Sequence, residues 1–112
     1  MSQTNPPFMT GVPELLILRL LSQREMYGYE LVRAIRTATS EAIGLSEGVV
    51  YPALYALERK GALKAKRKAV NGRSRIYYSM TAKGRRRLEE LTGEWQRVTD
   101  GIRAALAGLG QA

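Results

Sequence analysis

The chain has 112 residues, 45% of them apolar, and carries 18 Lys or Arg against 10 Asp or Glu, with no histidine and no cysteine. That length fits one domain with a modest core, for which dimerisation is a common supplement. The missing histidine removes the commonest general base and metal ligand, and the missing cysteine removes disulfides and thiolate metal sites. The expectation is therefore a non-enzyme without cofactor or metal.

The first ten residues, with Pro6 and Pro7, have little periodicity and form the expected arm (1–10). MSQTNPPFMTG also lacks the basic-then-apolar order of a secretory signal. Pro13 suits the first position of a helix running to about Gln23. Leu15, Ile17, Leu18, Leu20 and Leu21 make that helix apolar nearly all round, which predicts a central place in the core. Its apolar run is interrupted by Arg19 and is too short to span a bilayer, so a cytoplasmic protein without membrane contact is expected.

A second helix is expected from about Gly28 to Thr39, with Leu31, Ile35, Tyr27 and Val32 inward. SEAIGL breaks it, and Ser46 reads as the N-cap of a third helix that ends before Gly61. In GVVYPALYALERKGAL, Val50, Ala53, Leu54 and Leu57 fall on one side of that helix. Gly48, Pro52, Tyr55 and Arg59 fall on the other, with Tyr51 on the flank. Pro52 cannot donate to the carbonyl of Gly48, but that carbonyl lies in the first turn, where distortion is most easily absorbed. The outer face is slim enough for backbone to approach a surface closely. Tyr51 and Tyr55 either pack on neighbouring helices or present hydroxyls to phosphates and edges to bases.

Asn71-Gly72 is a strong hairpin turn, and period-two alternation sorts the strands around it. One face collects Leu63, Ala65, Ile76, Tyr78 and Met80. The other collects Lys64, Lys66, Lys68, Arg73, Arg75 and Tyr77. Thr81 caps a last helix from about Ala82 to Leu109, with a stripe of Leu88, Leu91, Trp95, Val98, Ile102, Leu106 and Leu109 at steps of three and four. Gly93, Gly101 and Gly108 fall opposite that stripe.

The positive charge is a block. Twelve Lys or Arg lie between Arg59 and Arg87 with no Asp or Glu among them, and both flanks are slightly acidic. Such a block is a footprint for a polyanion, the alternatives by composition alone being a solvated face or attraction to anionic lipid. Three helices followed by a basic hairpin is the order of a winged helix-turn-helix, in which the third helix enters the major groove and the hairpin is the wing. The expected fold is therefore mainly α with a small β-hairpin: a DNA-binding winged domain (11–81) and a long C-terminal helix (82–112), to which the resemblance described next assigns dimerisation.

GVVYPALYALERKGAL also resembles the recognition-helix signature of the PadR family of bacterial transcriptional regulators. YGYEL at 27–31 resembles that family's second-helix motif, and GRSRIYYSMTAKGRRRLEEL its wing and the entry to its last helix. Met80 stands where the family usually has leucine, a change that conserves volume. The single C-terminal helix is like that of the small PadR subfamily.

The resemblance implies a homodimeric, ligand-responsive repressor acting on duplex DNA at a pseudo-palindromic operator. It implies that Ser46, Gly48, Val49, Tyr51 and Tyr55 face the groove or its phosphates, and that Asn71, Gly72, Arg73 and Arg75 form the wing tip. Lys64, Lys66 and Lys68 would add phosphate contacts of no sequence preference. It further implies a dimer interface through Leu15, Leu18, Leu91, Trp95, Val98, Ile102 and Leu106. Small PadR-like regulators that respond to drugs or dyes use a central tryptophan on this helix to stack planar aromatic ligands, and Trp95 in EWQRV is similarly placed; the alternative is that Trp95 simply fills the interface. The competing expectation is a winged-helix protein-interaction module whose basic face meets an acidic partner.

Overall fold

The computed structural model describes residues 11–110, with side chains through Gly108, so the expected arm and the side chain of Leu109 at the end of the stripe lie outside what is described. Three helices come first: α1 (Val12–Leu21), α2 (Gly28–Ala38) and α3 (Glu47–Arg59). A short strand β1 (Met26–Tyr27) separates α1 from α2. The wing follows as β2 (Leu63–Val70) and β3 (Arg73–Met80), and the chain closes with the 29-residue α4 (Ala82–Gly110).

The core gathers on α1, as its all-round apolarity requires. Ile17 and Leu18 of α1, Leu31 and Ile35 of α2, and Val50, Leu54 and Leu57 of α3 are the largest fully buried side chains. Each contributes roughly 1.5–3 kcal/mol by burial. Leu63, Tyr78 and Leu91 extend that core to the wing base and α4.

The α3 helix continues through Pro52 without a break. Ser46 holds the N-cap position, but its side chain makes no capping hydrogen bond. Its carbonyl instead accepts from the amides of Val49 and Val50, both at 3.0 Å. At the far end of the wing, Thr81 does cap α4: its Oγ1 accepts from the Gly84 amide at 3.1 Å and donates to the Gly61 carbonyl at 2.6 Å.

The hairpin register is the expected one. Val70 pairs with Arg73, Lys68 with Arg75 and Leu63 with Met80. Asn71 and Gly72 both take left-handed φ, 53° and 77°, as a two-residue hairpin turn of the mirror-image kind needs.

The sheet nevertheless has three strands, in the order β1-β3-β2. Met26 pairs with Tyr78 and Tyr27 with Tyr77. This corrects the inward placement of Tyr27. Because side chains alternate along a strand, Met26 takes the core side and is buried. Tyr27 lies on the opposite, basic side, edge-on to Tyr77 with ring centroids 5.5 Å apart.

Candidate nucleic-acid interface

Two surfaces meet at the start of α2. One is the outer face of α3, where Gly48, Pro52 and Arg59 are exposed and Tyr55 is 48% exposed. Ser46 is half-buried beside it, and Val49 is half-buried because it packs against the core. The other is the wing, where Lys64 and Lys66 project outward and Asn71, Gly72 and Arg73 form an exposed tip.

Tyr51 and Tyr55 take different positions although they lie one turn apart. Their rings are 6.2 Å apart. Tyr51 is half-buried against the first residue of α2, where any side chain on Gly28 would collide with its ring. Burial, the Glu47 carboxylate and the neighbouring Tyr55 raise the Tyr51 hydroxyl above the ordinary tyrosine range. Tyr51 therefore fixes α3 against α2 and stays neutral, whereas Tyr55 presents its ring to solvent.

Tyr27, Gly28, Tyr29, Tyr51, Tyr55 and Arg75 share a cleft of about 320 Å³ that joins α2, α3 and the wing. Tyr29 is exposed, and the Arg33 guanidinium lies 5.3 Å from its ring centre, one turn on. Neither residue stood out in the sequence. Their i, i+4 spacing on the polar side of α2 is the one pattern that would have brought them forward.

The wing cations differ in how free they are. Lys64 and Lys66 are exposed, but Lys68 and Arg75 are half-buried and held by neighbours. The Arg75 guanidinium lies 4.2 Å from the Tyr27 ring centre, and the Lys68 ammonium 5.0 Å from that of Tyr77. Lys68 also pairs with Glu25, just before β1. Arg67 interrupts the inner face near the tip and donates to the Ser74 hydroxyl at 3.2 Å. Arg87, last of the block, is turned inward to Glu14 of α1 at 2.9 Å, and that hydrogen bond raises its already high pKa.

Residues 17–90 match the family described as the transcriptional regulator PadR-like family. The chain belongs to that family. Its relatives and structural neighbours agree. A chain of Lysinibacillus sphaericus is 34% identical over 88% of this chain and 92% of its own. The transcriptional regulator YqjI of Escherichia coli is 32% identical over 90% of this chain, which spans only 47% of that protein. Among solved structures, a PadR-like transcriptional regulator from Bacillus cereus aligns with a TM-score of 0.77 at 33% identity, covering 90% of this chain and 97% of its own. A transcriptional regulator from Clostridium thermocellum aligns at 0.81 and 28% identity, covering 88% and 96%.

This PadR-like chain is thus a transcriptional regulator, and its family membership implies DNA binding. Among the described residues no helix is long and apolar enough to cross a membrane.

A second surface lies on α4. Trp95, Val98, Ile102 and Leu106 are 50–60% exposed in a row along it. At the near end of that row, Leu15, Leu91, Trp95, Val98 and Ile102 line a groove of about 370 Å³ between α1 and α4. Leu18 is not part of it. It is 0% exposed in the protomer's own core, because α1 turns that side to α2 and α3, so it is neither interface nor groove wall.

Proposed function

We propose that the chain acts as a cytoplasmic homodimer that represses transcription from a pseudo-palindromic operator and responds to a planar aromatic effector. The row of exposed apolar side chains on α4 carries this reading. The radius of gyration is 16.0 Å, against about 13 Å for a compact chain of some 100 residues, because α4 runs beyond the core. Four large apolar side chains left half-exposed along one face of a projecting helix favour a second copy as cover. The groove between α1 and α4, with Trp95 at its wall, is the candidate effector site.

On the DNA side, Ser46, Gly48, Val49 and Tyr55 approach the major groove, with Tyr51 holding the helix that carries them. Asn71, Gly72, Arg73 and Arg75 meet the backbone or minor groove, and Lys64, Lys66 and Lys68 meet phosphates. Half-sites about 34 Å apart suit two recognition helices.

The test is sedimentation equilibrium together with duplex titration across salt. A dimer touching roughly six to ten phosphates loses about 10³ to 10⁵ in affinity between 50 and 200 mM salt. Lys64→Ala with Lys66→Ala flattens that dependence for all sequences alike. A monomer at micromolar concentration refutes the assembly. Affinity independent of salt refutes the DNA contact and favours a protein partner.

A further inference from the structure

Lys68 and Arg75 stand directly opposite each other on the outer face of the wing. Like charges so placed repel. Arg75 is relieved by stacking on Tyr27, and Lys68 by Tyr77 and by its ion pair with Glu25. Glu25 is 43 residues from Lys68 in sequence. It reaches the wing only because β1 pairs with β3. The basic block from Arg59 to Arg87 contains no carboxylate of its own. The anion beside Lys68 is therefore imported from another element.

We propose that Glu25 is a resident competitor for the phosphate that Lys68 would bind, and so sets how tightly the wing holds DNA. This rests on the DNA-binding reading above. An ammonium carries one positive charge and three donors on a flexible stem, and it bonds a carboxylate or a phosphate oxygen by the same geometry. With no DNA, Glu25 satisfies it. When a duplex arrives, the backbone phosphate displaces the carboxylate, and the lost pair is subtracted from the gain. The pair is partly exposed on both sides, so the exchange needs no unfolding. The neighbouring Lys64 and Lys66 are exposed and have no ion-pair partner among the described residues. The attenuation is thus local to one cation per wing.

The experiment measures affinity for a random-sequence duplex at low salt, using native protein, Glu25→Gln, Lys68→Gln and the double variant. Asp100→Asn serves as the charge control, since it adds the same net charge on the far side of α4 from the apolar row. Glu25→Gln tightens binding by about 1.4- to fivefold per wing, the range for an exposed ion pair. That gain shrinks to the Asp100→Asn level when Lys68 is already Gln. A Glu25→Gln gain no larger than that of Asp100→Asn overturns the proposal, as does a gain undiminished in the Lys68→Gln background. Native protein with no salt-dependent duplex affinity would instead overturn the DNA-binding reading on which it rests.

Discussion

Gly84 and Gly93 both sit inside α4, yet alanine at these two positions has opposite expected effects. By helix propensity alone, Gly→Ala stabilises a helix interior by roughly 0.5–1 kcal/mol. A Cβ on Gly93 meets nothing within 4 Å, so the full gain is expected there. A Cβ on Gly84 falls far inside contact distance of the Ala62 carbonyl oxygen and lies 2.8 Å from the Met80 side chain. The methionine can swing aside. The carbonyl cannot, because it accepts from the Thr81 amide at 3.1 Å and belongs to a buried residue at the wing base. Overpacking of this kind costs about 1–3 kcal/mol. Set against the propensity gain, Gly84→Ala is net destabilising by up to about 2.5 kcal/mol, with a fall of about 4–8 °C in melting temperature per kcal/mol. Urea denaturation of both variants, at matched protein concentration, measures the pair. Equal or greater stability of Gly84→Ala would show that α4 does not bear on the wing base as closely as described.

Two further outcomes follow from the same geometry. Tyr51 and Tyr78 have hydroxyl pKa values raised above 10.0, chiefly by burial, so the folded state favours their neutral form. Their stabilising contribution is present below the unfolded value and lost as pH rises through the folded one. With no histidine in the chain, the denaturation midpoint should be flat from about pH 6 to 9 and fall above about pH 10. A pH-dependent midpoint between 6 and 8 would contradict this. Trp95, half-exposed at the α4 groove, should change its fluorescence with planar aromatic compounds, and Trp95→Ala should weaken their binding at least tenfold, about 1.4 kcal/mol. Equal affinity in the folded variant would leave the ring as packing alone.

What was legible in the sequence were the elements with a long repeat. Period two over sixteen strand residues gives the hairpin register and its charged face, and the α4 stripe gives the row that is in fact exposed. The two-residue β1 has no period to detect, and its loss misplaced Tyr27 and hid Glu25. Leu18 was misassigned for a related reason. On a helix apolar nearly all round, composition does not say which side meets the core and which meets a partner, and only packing separates Leu15 from Leu18. The charge block was visible as a sum, but not which of its members already have partners. Lys68 and Arg87 find theirs on segments remote in sequence.

The Arg87–Glu14 pair, together with the Thr81 cap, bears on how an effector signal would travel. The α4 helix is continuous from the Thr81 cap to the apolar row, so Trp95 lies about 20 Å along a single rod from the wing base at 1.5 Å per residue. Thr81 ties its start to the α3–β2 turn through the Gly61 carbonyl, and Arg87 ties its second turn to α1 through Glu14. An effector that tilts one α4 against its partner would therefore carry the winged domain with it as a body. Over that length a tilt of about 5° would displace the wing base by nearly 2 Å, about half of one base-pair rise, and so would change the spacing of recognition helices matched to half-sites one helical turn apart. No rearrangement inside the winged domain is required. On the proposed reading, such an effector would shift DNA affinity only by the difference in its own affinity for the two tilts.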